Sequence, residues 1–268
     1  MKGSLADRPM KIVIKIGGVA VEDSSLVQQC AQAVLQLMND GHQVVIVHGG
    51  GADLTRTLAK LGKTSEFING LRVTDAETRD VALMVLAGRI NKTLVAGLAK
   101  AGVAAIGMCG GDGGSVRARK RHGADLGYVG EVAAVDPQWL DLTCAHGGVP
   151  VLSSMAPGVD GQYYNINADQ MAAACAIGWN ADALFFLTDV AGVKDSQGTV
   201  MRWLETGQIA ALIESSVVGG GMLPKLEACR EALKKGVRRV RILPASQASC
   251  LSDFYFSRIE CGTEVLVA

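Results

Sequence analysis

The first apolar stretch, KIVIKI at residues 11–16, stops at Gly17-Gly18 and predicts a short buried strand. SSLVQQCAQAVLQLMND (24–40) carries its apolar residues at helical spacing and ends at Gly41, as an amphipathic helix does. QVVIVH (43–48) then predicts a second strand and ADLTRTLAKLG (52–62) a second helix. EFINGLRVT (66–74) contains Asn69-Gly70, a hairpin-turn signal. Residues 75–102 form one long helical pattern, with Gly88 as the expected break. VAAIGM (103–108), VPVLSS (149–154) and ALFFLT (183–188) are short apolar runs suited to buried parallel strands. GYVGEVAAV (127–135) reads as a hairpin, NINADQMAA (165–173) as the start of a helix, and VRRVRIL (237–243) and TEVLVA (263–268) as late strands.

Strands that alternate with helices predict an α/β fold of three layers, with a mainly parallel sheet covered by helices on both faces. A length of 268 residues suits one large domain or two lobes sharing a sheet. No Pro/Gly/Ser-rich linker divides the chain, and a soft lobe boundary is expected near residues 153–180.

Composition narrows the function classes. The 26 Lys and Arg balance 26 Asp and Glu, so no global basic field points to nucleic acid or a membrane surface. The seven cysteines are odd in number and contain no CxxC, which predicts free thiols of a reducing cytoplasm and no metal site. Residues 1–9 are polar, so no signal peptide is expected there. No apolar run reaches the roughly 18 residues of a membrane span.

Three glycine clusters follow predicted strands: Gly17-Gly18, Gly49-Gly50-Gly51, and the run from Gly110 to Gly114. At the carboxyl edge of an α/β sheet such turns open onto helix N-termini that favour anions, and the three together suggest a shared anion site. Tight turning alone is the competing reading for any single cluster. Gly62-Lys63-Thr64 imitates the end of a P-loop, but Thr57 stands where its first glycine belongs, and no GxGxxG is present. HGGG (48–51) has no GxSxG to supply a nucleophile. Lys15 ends a buried strand beside glycine amides and suits a phosphate, or snorkels to solvent. Lys225 lies near a helix start, where only an anionic ligand compensates its charge; an exposed helix lysine is the alternative. Asp169 could hold both lysines in place. Arg72 suits bidentate binding of a carboxylate, Asn167 suits a helix cap, and His48 has no evident basic role.

The segments KIGG, VIVHGGG, NGLRVTD, LAGRINKTL, GYVGEV, YNINADQMA, LTDVAGVKD and GGGMLPKLEA, in this order across residues 11–268, resemble the acetylglutamate kinases of the amino acid kinase superfamily. The likeness is strongest to the short bacterial enzymes of the arginine pathway. It implies an amino acid kinase-like fold, with an N-terminal lobe of about 10–165 for the acyl-amino acid and a C-terminal lobe of about 166–268 for ATP. It implies transfer of the γ-phosphoryl of ATP to the side-chain carboxylate of N-acetyl-L-glutamate. That nucleophile is already ionised at neutral pH, so no general base is needed. By resemblance, Lys15 and Lys225 stabilise the transition state and Asp169 orients them. Gly18, Gly50 and Gly51 cradle phosphate and carboxylate oxygens, while Arg72 and Asn165 hold the other carboxylate. Thr188, Asp189, Val190, Ala191, Gly192, Val193 and Lys194 hold nucleotide, with Val217, Val218 and Gly219 closing over it. Mg²⁺ is expected to accompany ATP with few protein ligands and no dedicated metal site. The nucleotide loop begins with Thr188 where many relatives have serine, and residues 178–182 carry one residue more than close relatives.

Rival readings are a sister kinase acting on carbamate, aspartate, glutamate, UMP or a carrier-bound aminoadipate, and a non-catalytic sensor on the same scaffold. NGLRVT with YNINAD favours an acyl-amino dicarboxylate, and a sensor need not keep Lys15, Asp169 and Lys225 together. Arginine-inhibited relatives carry an additional N-terminal helix that links dimers into hexamers. Residues 1–10 include Gly3 and Pro9 and have no amphipathic period, so a cytoplasmic homodimer with little arginine inhibition is expected.

Overall fold

The computed structural model describes residues 8–215, 217–255 and 261–267. Its strands are β1 (Lys11–Ile16), β2 (Gln43–His48), β3 (Phe67–Ile68), β4 (Leu71–Arg72), β5 (Ala105–Met108), β6 (Val116–Lys120), β7 (Val129–Val135), β8 (Val149–Ser153), β9 (Met155–Pro157), β10 (Tyr163–Ile166), β11 (Ala183–Thr188), β12 (Trp203–Glu205), β13 (Arg239–Pro244) and β14 (Thr263–Leu266). The helices are α1 (Ser24–Asn39), α2 (Gly51–Lys60), α3 (Ala76–Ala82), α4 (Asn91–Lys100), α5 (Gln138–Ala145), α6 (Ala168–Gly178), α7 (Ile209–Glu214) and α8 (Met222–Lys234).

An eight-stranded sheet in the order β12-β14-β13-β11-β1-β2-β8-β5 forms the middle layer. From β13 to β5 all neighbours are parallel; β14 runs antiparallel to β13. The alternation of side chains along β1 splits the core by sheet face. Ile12, Ile14 and Ile16 meet α1, α3 and α4, whereas Val13 meets α5, α6 and α8. Burial on both faces is why the central strands read as continuous apolar runs. The sheet passes unbroken from β1 to β11. A four-stranded sheet, β6-β7-β10-β9, and the β3-β4 hairpin complete the strand structure among the described residues.

Several expectations change. Residues 127–135 are not a hairpin: β7 is a single strand whose antiparallel partner is β6, disguised in the sequence by Arg117, Arg119 and Lys120. Gly88 does not break the long helix. A π-helical stretch, Leu83–Ile90, joins α3 to α4 without interruption. That continuous helix, Ala76–Lys100, is long and apolar enough to cross a membrane, although Arg79, Asp80, Arg89 and Lys92 interrupt its apolar run. Its Val81, Val85, Leu86, Ile90, Leu94 and Leu98 are spent on the core. β5 is the sheet edge rather than a fully buried strand, leaving Ile106 54% exposed. The 178–182 join is compact: Trp179 is buried and its indole N–H donates to Asp141 at 2.8 Å, while Asn180 turns the chain at φ 55°. Cys30, Cys109, Cys144, Cys175 and Cys229 are buried free thiols. Residues 1–7, part of the segment tied above to assembly, lie outside the described residues, as does Ala268.

Candidate active site

Strand β1 ends on Lys15 and Ile16 at the carboxyl edge of the sheet, between β2 and β11. Lys15 is only 7% exposed. Its side chain folds back over the next turn: a Cβ on Gly17 would lie 2.0 Å from Lys15 Nζ. Glycine at position 17 therefore leaves room for the ammonium.

The partner of Lys15 comes from a distant element. Asn167 caps α6, its side-chain oxygen accepting from the N–H groups of Asp169 and Gln170. That cap sets Asp169 in the first turn of α6, 6% exposed, with Oδ1 2.8 Å from Lys15 Nζ and Oδ2 2.9 Å from Lys225 Nζ. The Lys225 contact is an aligned hydrogen bond, and this ammonium also lies 5.1 Å from the centre of the Phe186 ring. The Lys15 contact is a close ion pair to the other carboxylate oxygen. Burial pushes the Lys15 pKa down; Asp169 pushes it back up, and Lys225 lowers it again. Burial would by itself raise the Asp169 carboxyl, but the two ammoniums hold it below the ordinary range. One carboxylate between two ammoniums carries a net positive charge, which an anion would neutralise.

Two cavities meet at this cluster, both lined by Lys15, Gly18, Gly70, Asn167 and Asp169. The first, about 200 Å³, is lined also by Gly49, Gly50, Gly51, Leu54, Phe67, Leu86, Arg72, Ser154 and Asn165. The second, about 440 Å³, adds Thr188, Asp189, Val190, Gly219, Gly221, Met222, Pro224 and Lys225. In the first cavity Asn69 (φ 50°) and Gly70 (φ 77°) make the predicted hairpin turn, and Arg72 follows it. The Arg72 guanidinium donates to Ser65 Oγ, to Gly51 O at 2.9 Å and to Thr55 Oγ1 at 2.7 Å, and lies 4.6 Å from the Phe67 ring centre. These contacts leave Nε–H and one Nη1–H, on different edges of the guanidinium, so that a carboxylate would meet one of them at a time. Asn165 Nδ2 donates to Thr74 Oγ1 at 3.3 Å.

The nucleotide loop divides. Thr188, whose hydroxyl donates to Asp189 Oδ1 at 3.0 Å, lines the second cavity together with Asp189 and Val190. Ala191 and Lys194 are exposed, whereas Gly192 and Val193 are buried against the Thr263 strand, Val193 N–H donating to Thr263 Oγ1 at 2.9 Å. Gly219 lines the cavity; Val217 and Val218 pack toward the core instead.

Not every sequence signal lands here. The third glycine cluster, Gly110–Gly114, lines neither cavity; its glycines admit close packing, with Tyr163 against Gly111 and Trp139 against Gly113. Conversely, Ser154, Leu86, Met222 and Pro224 line the site without having been singled out, and only the strand-end position of Ser154 could have marked it in advance. His48 is fully buried and lines neither cavity, its pKa lowered to about 4, chiefly by burial. Among the described residues no three His, Cys, Asp or Glu side chains cluster to hold a metal ion.

A buried lysine-carboxylate-lysine cluster between two cavities, at the carboxyl edge of an open parallel sheet, has the net charge and the setting to hold an anionic ligand in an α/β fold. The amino acid kinase family profile matches residues 10–244. An acetylglutamate kinase of Acidobacterium capsulatum is 59% identical over 97% of this chain and 100% of its own. One of Koribacter versatilis is 54% identical over 96% of this chain and 99% of its own. The solved N-acetylglutamate synthase of Neisseria gonorrhoeae, in complex with coenzyme A and N-acetyl-glutamate, superposes with a TM-score of 0.84 at 26% identity, covering 96% of this chain and 59% of that one. The chain belongs to the amino acid kinase family and, within it, to the acetylglutamate kinases.

Proposed function

We propose that the chain transfers the γ-phosphoryl group of ATP to the side-chain carboxylate of N-acetyl-L-glutamate, giving N-acetyl-L-glutamyl 5-phosphate and ADP, a step of arginine biosynthesis. The observation that carries this reading is the Lys15–Asp169–Lys225 cluster at the junction of two cavities. The acyl-amino acid would occupy the first cavity, its non-reacting carboxylate on Arg72 and Asn165. The nucleotide would occupy the second, along Thr188, Asp189, Val190 and Gly219, with the rest of the 188–194 loop and Val217–Val218 supporting it from behind.

The reacting carboxylate then meets the γ-phosphorus at the lysines. Charge on the transferring oxygens is offset by the Lys15 ammonium from β1 and the Lys225 ammonium from the first turn of α8. The free N–H groups at the start of α2, preceded by Gly49 and Gly50, and those near Gly18 would take further oxygens. Asp169 stays ionised between the lysines and takes no proton. The attacking carboxylate needs no base, and no histidine lines either cavity. Mg²⁺ fits this donor set as a companion of ATP: Asp169 is committed to the lysines, which leaves Asp189 as the other carboxylate of the second cavity. When bound, the ion would offset charge on the nucleotide phosphates.

A homodimer is the assembly we propose. It rests on the apolar excess of the Ala76–Lys100 helix, whose Met84 is 63% exposed, and on two-fold closure as the commonest assembly. The test of function is an ATP-dependent acyl-phosphate assay with hydroxylamine trapping, run on acetylglutamate beside carbamate, aspartate, glutamate, UMP and aminoadipate. Acetylglutamate is expected to have the highest kcat/KM by far. Turnover of another substrate in preference to it would overturn the reading.

A further inference from the structure

Fully buried His48 ends β2 and immediately precedes Gly49. Its Nδ1 lies 2.8 Å from Gly49 O and its Nε2 lies 3.0 Å from Asn91 Nδ2. The amide of Asn91 is unambiguous: Nδ2 faces Val151 O at 2.8 Å and Oδ1 accepts from Lys92 Nζ at 3.1 Å. Nδ2 can only donate, so Nε2 of His48 accepts and Nδ1 carries the proton that it donates to Gly49 O. Lys92 Nζ also donates to Gly107 O at 2.9 Å, tying this chain of bonds to β5.

These contacts control a direction. The Gly49 C=O and the Gly50 N–H belong to one trans peptide and point opposite ways. Gly49 N–H is fixed on Ile16 O at 3.2 Å, and its C=O is held by His48. The Gly50 N–H is thereby turned away from the histidine. Gly50 itself sits at φ 153°, and a Cβ there would lie 2.2 Å from Ile90 Cδ1 and 3.0 Å from Leu86 Cδ2. The π-helical stretch ending at Ile90 thus presses its side chains on this loop and presents Asn91, the next residue, to His48.

We propose that His48 and Asn91 are positioning residues that clamp the Gly49–Gly50 peptide, so that the Gly50 N–H is aimed at an oxygen of the transferring phosphoryl or reacting carboxylate. The inference rests on the kinase reading above. The competing role is a histidine that merely satisfies the core. In that role its loss lowers stability and leaves the turnover of folded protein unchanged.

The two ring nitrogens can be tested apart. In His48→Asn the side-chain amide N–H takes the place of Nδ1–H, keeping the donor to Gly49 and losing the acceptor for Asn91. In His48→Gln the amide reaches the place of Nε2, keeping the Asn91 contact and losing the donor to Gly49. Both variants are expected to melt at lower temperature than the parent. Only His48→Gln should lose kcat, by about 10-fold or more, within the range for a misplaced or missing oxyanion donor, with KM for ATP unchanged. His48→Asn should stay within about threefold of the parent kcat. Parent-like kcat in both folded variants, or equal losses that follow the melting temperature, would overturn the proposal. Histidine ¹⁵N NMR on the unmutated enzyme gives a second reading that does not depend on either variant folding. An Nδ1–H tautomer is expected. Its Nδ1 resonance should move when acetylglutamate and a non-hydrolysable ATP analogue are added, because an anion on Gly50 N–H polarises the shared peptide. An Nε2–H tautomer, or no change at saturation, would overturn it. Absence of turnover on acetylglutamate by the unmutated enzyme would instead sink the substrate reading while leaving the tautomer intact.

Discussion

Asp169→Asn keeps the shape of the side chain and removes one charge from a cluster of three. In the parent, both carboxylate oxygens are engaged, at 2.8 and 2.9 Å, by ammoniums that are themselves buried. The neutral amide offers one acceptor and a pair of N–H groups that repel an ammonium. Removing one partner of a buried ion pair costs about 3–5 kcal/mol, because the remaining charge is left uncompensated. At about 2–4 °C per kcal/mol for a domain near this size, the melting temperature should fall by about 6–20 °C. The catalytic effect has a separate signature. Lys15 acts as an ammonium, and its pKa is already lowered by burial, with Asp169 as the first group that opposes the shift. Without that carboxylate the pKa falls further, while Lys225 still pushes it down. Raising the pH then removes the proton earlier, so the alkaline limb of kcat moves to lower pH. Hydroxylamine-trapped product measured from about pH 6 to pH 9, beside a circular-dichroism melt, reads both effects. A loss of about 10² or more in kcat is expected near neutrality, the scale for displaced transition-state donors, and a larger loss at the alkaline end. A folded Asp169→Asn protein with parent-like kcat and an unmoved alkaline limb would refute the reasoning.

Lys15→Ala should keep the fold and lower kcat by about 10²–10³, and arginine should not rescue it, since a planar fork replaces a point charge; a hydroxylamine assay on folded variants checks this. Gly17→Ala tests the same group without removing it: its new Cβ would stand 2.0 Å from Lys15 Nζ, so kcat should fall by about 10-fold or more, and parent-like turnover would show that the lysine works from elsewhere. Arg72→Lys should raise KM for acetylglutamate and leave KM for ATP nearly unchanged, as initial-rate kinetics with each substrate varied would show; movement of the ATP value alone would place Arg72 in the nucleotide cavity. Light scattering coupled to gel filtration should give a dimer mass, and a hexamer would contradict the proposed assembly.

Local pattern carried the scaffold. β1, β2, β8 and β11 are legible as apolar runs because burial on both faces demands β-branched and aliphatic side chains throughout. The Asn69-Gly70 turn is legible because few other pairs tolerate two positive φ angles. The ordered motifs also pointed to Lys15, Asp169 and Lys225. Other features depend on partners remote in sequence. β6 pairs with β7 although its charges hide it, since the exposed face of an antiparallel pair has no apolar requirement. A π-helical turn rather than a break at Gly88 follows from what Leu86, Ile90 and Asn91 must meet across the core. The Gly110–Gly114 cluster looks in sequence like the two that line the site, yet its glycines serve the close approach of Tyr163 and Trp139. Asp169 and Lys225 are 56 residues apart and Lys15 is further still. Only the fold brings one carboxylate within 3 Å of both ammoniums, because that contact depends on how α6 and α8 pack on β1 and β11, which no local stretch of sequence encodes.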